Sequence, residues 1–160
     1  MPDTTLALRV ADEVWIAVAH LHRELPARAD FTLKEIEARL RRENLTGTVR
    51  RGVYPHVSVH CVANLPPNPA RYRMLFSTGP SRRRLFRPGD SFHPKRDGGK
   101  TVPRRDDIPD EYRRLLDWYH EKWAPRTGDD PLVEVARKHR IVWKGTDPDE
   151  YVRRLREGWE

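Results

Sequence analysis

The chain has 160 residues, of which 37% are hydrophobic and 34% charged, and a net charge of +7. That length holds one domain, or one domain with an appendage; no apolar run approaches the roughly 18 residues of a membrane span, and no signal-peptide apolar core opens the chain. The single cysteine, Cys61, excludes an internal disulfide and fits a reducing, cytoplasmic setting.

Leu6 to Leu25 carries Val14, Val18, Leu21 and Leu25 at helical spacing, widened by Val10 and Trp15, and Pro26 ends this first helix. Next comes Phe31-Thr32-Leu33-Lys34-Glu35-Ile36, the best local signal in the chain. Thr32 and Glu35 have capping-box spacing, and Phe31 before the cap and Ile36 after it make a hydrophobic staple. Helix 2 is therefore expected from Leu33 to about Arg42, with Ile36 and Leu40 inward and Glu37, Arg39, Arg41 and Arg42 outward. Gly47 in the following turn suits a left-handed position. Val53, Val57 and Cys61 then recur at i, i+4 and i+8, and Pro55 belongs in a first turn, so a third helix is expected from near Tyr54 to Val62 or Ala63.

A Pro-rich connector, Leu65 to Pro69, leads to Arg71–Asp90. There two short apolar-aromatic runs, with Tyr72, Met74 and Phe76 alternating in the first and Leu85 and Phe86 in the second, flank Thr78-Gly79-Pro80-Ser81; this reads as a β-hairpin. Phe92 to Arg105 has no periodicity and reads as an irregular loop. A further helix opens at Asp107-Ile108-Pro109, carries Tyr112, Leu115, Leu116, Tyr119 and Trp123 as a core or dimer-seam stripe, and ends at Pro125. The expected division is a domain over residues 1–125 and a linker and helical tail over 126–160, whose Trp143, Tyr151, Leu155 and Trp159 form a stripe that either folds back or enters a partner's groove.

Charge is concentrated. Residues 71–105 contain eleven Lys/Arg against two Asp, a net +9, so the rest of the chain stands at −2. Three helices followed by a basic hairpin is the layout of a winged helix, and the expected class is α+β, mostly helical. The basic segment is the footprint of a polyanion partner, here duplex DNA. The third helix would read base edges through His56, Ser58 and His60, with Arg50 and Arg51 at its lead-in. Arg71, Arg73, Arg82, Arg83, Arg84 and Arg87 on the hairpin, with Lys95, Arg96 and Lys100 in the loop, would hold the backbone. Strand alternation cannot point Arg82, Arg83 and Arg84 the same way, so at least one is expected to meet a carboxylate.

Catalytic and metal readings are weaker. The chain has no phosphate-binding Gly-rich motif, no G-x-S-x-G and no H-E-x-x-H, so no enzymatic activity or cofactor is expected. His56, His60 and Cys61 tempt a zinc reading, but Cys61 lies on the inward line and a fourth ligand is missing, so no metal is assigned. Asp106, Asp107, Asp110 and Glu111 sit at a helix start, where carboxylates suit the dipole.

Residues 49–123 resemble an uncharacterised family of prokaryotic winged-helix proteins, through HCVAN (60–64), RYRMLF (71–76), RRLFRPGD (83–90), HPKRDGGK (93–100) and LLDWY (115–119). The resemblance implies a DNA-binding fold and no reaction. The tail is similar to the C-terminal segment of VapBC-type antitoxins, through Trp143-Lys144-Gly145 and DPDEYVRRLREGW (147–159), which implies docking on a PIN-domain toxin. The expected function is a transcriptional regulator, with pairing as a homodimer and the role of an antitoxin whose tail binds a PIN-type toxin left open. The alternative is a non-enzymatic accessory module of a restriction-modification or other defence enzyme.

Overall fold

The computed structural model describes residues 8–124 and residue 153. The tail stripe of Trp143, Tyr151, Leu155 and Trp159 lies outside the described residues, as does the rest of the expected tail.

Helix α1, Val10–Glu24, is the centre of the molecule. Its WIAVA run, Trp15 to Ala19, is wholly buried, so the helix is enclosed on all sides. Of the stripe expected from spacing, Val14, Trp15 and Val18 lie in the core and Val10 and Leu21 pack against it, whereas Leu25, past the helix end, is 45% exposed. Strand β1, Phe31–Thr32, leads directly into α2, Leu33–Glu43. The capping box forms as spaced, Glu35 N donating to Thr32 Oγ1 at 3.2 Å and Thr32 N to Glu35 Oε2 at 2.7 Å. Phe31 and Ile36 share the core. Asn44 closes the helix at φ 50°, and Gly47 has the expected positive φ, 79°.

Arg39 corrects one expectation. It is buried, its guanidinium held between Glu24 at 2.8 Å and Glu43. Tyr112 donates to the same Glu43 at 3.1 Å, which ties the approach to the last helix onto α2. Two carboxylates make burial of the arginine affordable, and sequence spacing alone does not reveal them.

Helix α3 opens with Val53–Pro55 and continues as a wide, π-bonded turn over His56–His60, closed by Cys61 N on His56 O at 3.0 Å. Pro55 sits in the first turn, as its missing N–H requires. Strands β2, Leu75–Gly79, and β3, Arg82–Leu85, form the expected hairpin, with a register shift between Ser77 and Gly79. The sheet order is β1-β3-β2, all antiparallel, Phe31 facing Arg83 and Thr32 facing Arg82. Short helical turns at Pro94–Arg96, Arg105–Asp107 and Asp110–Tyr112 precede α4, Arg113–Trp118, which runs on as a π-bonded turn over Tyr119–Trp123. Leu115, Leu116, Tyr119 and Trp123 join the core, Tyr119 edge-on to Trp15 at 5.8 Å.

Among the described residues the architecture is thus α+β, four helices and a small three-stranded antiparallel sheet. No helix among the described residues is long and apolar enough to cross a membrane.

The loop over 92–105 is fastened rather than free. Lys100 reaches the wholly buried Asp12 at 2.8 Å, and Arg73 N donates to Lys100 O at 2.9 Å. At Gly99 the chain passes so close to the 71 peptide that a Cβ would lie 1.8 Å from Arg71 O. Gly99→Ala must move backbone, and is expected to cost about 1–3 kcal/mol in urea unfolding.

His22 on α1 gives the fold a pH dependence. Burial, with Arg87 and Arg84 nearby, pushes its imidazole down to about 3 from 6.5. The folded state therefore holds it neutral while the unfolded chain protonates below about pH 6.5. Stability is complete above that pH and falls as the pH drops, at about 1.4 kcal/mol per unit, or about 2 kcal/mol by about pH 5. Urea unfolding across that range should show the loss, and a His22→Gln variant should show a flatter profile.

Candidate nucleic-acid interface

The geometry around α3 follows from its two ends. The last four carbonyls of a helix have no partner within it. Here arginines supply partners to four consecutive ones. Arg83, from the middle strand, donates to Val57 O at 3.2 Å and Ser58 O at 3.0 Å. Arg96 donates to Val59 O and His60 O, both at 2.8 Å. Arg96 also bonds Leu65 O and Tyr72 O at 2.7 Å, Pro66 O at 3.2 Å and Ala70 O at 3.3 Å, with no exposed surface at all. A planar guanidinium with five donors suits this cradle, and its charge complements the negative end of the helix.

Two expected backbone contacts are thereby corrected. Arg83 and Arg96 are buried and spent on main-chain carbonyls, so neither presents a cation to a phosphate. The alternation that buries Arg83 and Leu85 turns Arg82 and Arg84 to the opposite face. There Arg82 pairs with Asp30 at 3.0 Å, and Arg84 forks onto Asp90 at 2.7 and 2.9 Å while covering the Phe76 ring at 4.4 Å. The expectation that at least one of the three meets a carboxylate holds for two.

The hairpin also does not stand away from the body as a free wing. Its tip is drawn onto β1 and the start of α2: Leu33 N donates to Ser81 O at 3.1 Å and Thr78 Oγ1 to Asp30 at 2.6 Å. Ser81 takes the positive φ, 56°, that this tight turn needs. Arg50 is occupied by Glu13 at 2.7 Å and Leu8 O at 2.8 Å, and Lys100 by Asp12 and Asp107. Arg73 donates to Gly99 O and lies 4.4 Å over Phe92; Arg87 lies 3.9 Å over Trp123.

Arg51, Arg71 and Lys95 remain exposed, without a side-chain hydrogen bond or ion pair among the described residues. All three border α3. Arg51 precedes its first turn. Lys95 belongs to the turn that Arg96 ties to the end of α3, and Arg71 sits between the Ala70 and Tyr72 carbonyls of the same cradle. His56 is half-buried; its Nδ1 donates to Gly52 O at 2.7 Å, which leaves Nε2 as acceptor in the neutral ring. His60 lies 4.9 Å from it, its protonation disfavoured by burial, by His56 and by Arg96. Ser58 Oγ is within 3.4 Å of Pro55 O. Cys61 is fully buried, as its inward position requires, and no cluster of three or more metal-ligating side chains occurs among the described residues.

One surface residue escaped the sequence reading. Tyr54 is 58% exposed on the first turn of α3. Its signal was its place one residue after Val53, off the Val53–Val57–Cys61 line. It is a large aromatic ring left in water, three residues after the exposed Arg51.

Compared with protein-family models, curated proteins and solved structures, the chain matches none.

Proposed function

We propose that the chain is a winged-helix protein that binds duplex DNA as a transcriptional regulator. The element order α1-β1-α2-α3-β2-β3, with strands ordered β1-β3-β2, supports a winged helix. The observation that carries the reading is the polarity of α3. Its C-terminal carbonyls are anchored inside by Arg83 and Arg96, while exposed Arg51 stands just before its first turn and exposed Tyr54 on it. Helix-turn-helix proteins read the major groove with the N-terminal residues of their recognition helix. In this reading Arg51, Tyr54, His56 and Ser58 meet the groove, and Arg71 and Lys95 hold phosphates. The tail remains the candidate segment for a partner such as a PIN-domain toxin.

A second reading, a non-enzymatic accessory module of a defence enzyme, draws support from the internal pairing of Arg82 with Asp30 and Arg84 with Asp90, which reduces the charge available to DNA. Fluorescence anisotropy with labelled duplex separates the two. The regulator binds at moderate salt, with affinity falling steeply as salt rises. An accessory module gives no such binding.

A further inference from the structure

We infer that the groove between the end of α1 and α2 is a docking site for the chain's own C-terminal stripe, Tyr151, Leu155 and Trp159. The groove holds about 400 Å³, and its apolar surface comes from Leu21, Leu25, Phe31 and Ala38. Leu25 is 45% exposed, the only large aliphatic side chain among the described residues left so far in water. The charges around it are matched within the domain, Glu24 by Arg39 at 2.8 Å and Glu35 by Arg28 at 3.1 Å. Arg42, at the edge, is exposed and has no ion pair among the described residues. An apolar strip with one free cation beside it fits an amphipathic helix that carries a carboxylate next to its apolar face.

The chain leaves the described domain beside this groove. The Trp123 ring lies 4.1 Å from His22, and His22 lies 4.9 Å from Phe31 in the groove wall. Residues 125–142 precede Trp143, and at roughly 3.3–3.6 Å each they reach far beyond two ring contacts. Such a tether holds the stripe near the groove at an effective concentration on the order of millimolar. The lengths agree as well. Tyr151, Leu155 and Trp159 recur at i, i+4 and i+8, about 12 Å along a helix, and the groove follows α2 from Glu35 to Arg42, about 10 Å. Arg153, the one described residue beyond Ala124, is helical and exposed, and helical spacing puts it on the side away from the stripe. Asp147 and Asp149 flank the start of the stripe and offer Arg42 a carboxylate. Docking here is separate from the α3 face and does not depend on DNA binding. A toxin that takes the tail would first have to lift it out of this groove.

The test uses the full chain with a nitroxide attached at Glu160→Cys; Cys61 is fully buried and stays unlabelled. The amide signals of Leu21, Leu25 and Ala38 are expected to be lost to paramagnetic broadening and to return when the nitroxide is reduced. The groove variant Leu25→Lys, Ala38→Glu, at two exposed positions, should restore them, and so should Leu155→Ser with Trp159→Ser in the tail. Mixing the nitroxide-bearing chain with isotope-enriched chain that lacks the label should broaden nothing; broadening in that mixture would put a second copy's tail in the groove and overturn self-docking. Broadening centred on α3 or on Trp118 and Trp123, none beyond the label's own neighbours, or an unchanged pattern in the groove variant would each overturn it too.

Discussion

Arg96→Met is expected to lower the stability of the domain by about 3–5 kcal/mol. Arg96 donates to six backbone carbonyls, from Val59, His60, Leu65, Pro66, Ala70 and Tyr72. Each buried carbonyl left unpaired costs about 1–3 kcal/mol, reduced where water can follow the departing side chain. The outcome is a large share of the roughly 5–15 kcal/mol that holds a domain together. Arg96→Lys keeps the charge but offers three donors in place of a planar fork, so it should recover only part of the loss. Urea denaturation of both variants checks this. A loss within about 0.5 kcal/mol, the usual range for a surface site, would mean that Arg96 does not hold α3 and the connector in place.

Replacing Arg51, Arg71 and Lys95 together by glutamine is expected to weaken duplex binding by about a hundredfold at moderate salt. It should also flatten the slope of log K against log salt by about 0.9 for each phosphate contact removed. All three are exposed and unpaired among the described residues, so the change should leave thermal stability within a few degrees. Adding Tyr54→Ala should reduce affinity further while leaving the salt slope unchanged, since an aromatic contact releases no counterion. Arg82→Gln and Arg84→Gln behave differently in this account. Their charges are matched by Asp30 and Asp90, and each should alter the slope little. A triple variant with wild-type slope, or an Arg82→Gln variant with a reduced one, would move the contact from α3 to the hairpin.

How far the sequence spoke depends on the range of the interaction. Helix α2 was legible to within a residue because its stop, start and staple are all local: Thr32 and Glu35 lie three apart, and Phe31 precedes the cap. The hairpin was legible for the same reason. Strand β1 was not, since Phe31 and Thr32 look like the approach to a helix and become a strand only by pairing with Arg83 and Arg82, fifty residues on. The fate of the arginines was the least legible. Arg82, Arg83 and Arg84 are identical in type and adjacent, yet one is interior and two are surface ion pairs. Alternation foretold a split but not its phase. Arg96 looks like one more cation in a basic loop, and its carbonyl partners lie 24 to 37 residues away. Charge counting therefore overstated the free charge of this region. Tyr54 carries no charge, and its exposure is set by packing around α3 that no local pattern marks.

The most direct measurement of the central proposal, that α3 and its borders meet the nucleic acid, is an amide chemical-shift map of the full chain titrated with duplex DNA. The account predicts shifts concentrated over residues 51–60, with further ones at Arg71 and Lys95, and little change at Arg82 and Arg84. Shifts centred on the outer face of the hairpin, or no specific shifts at moderate salt, would contradict it.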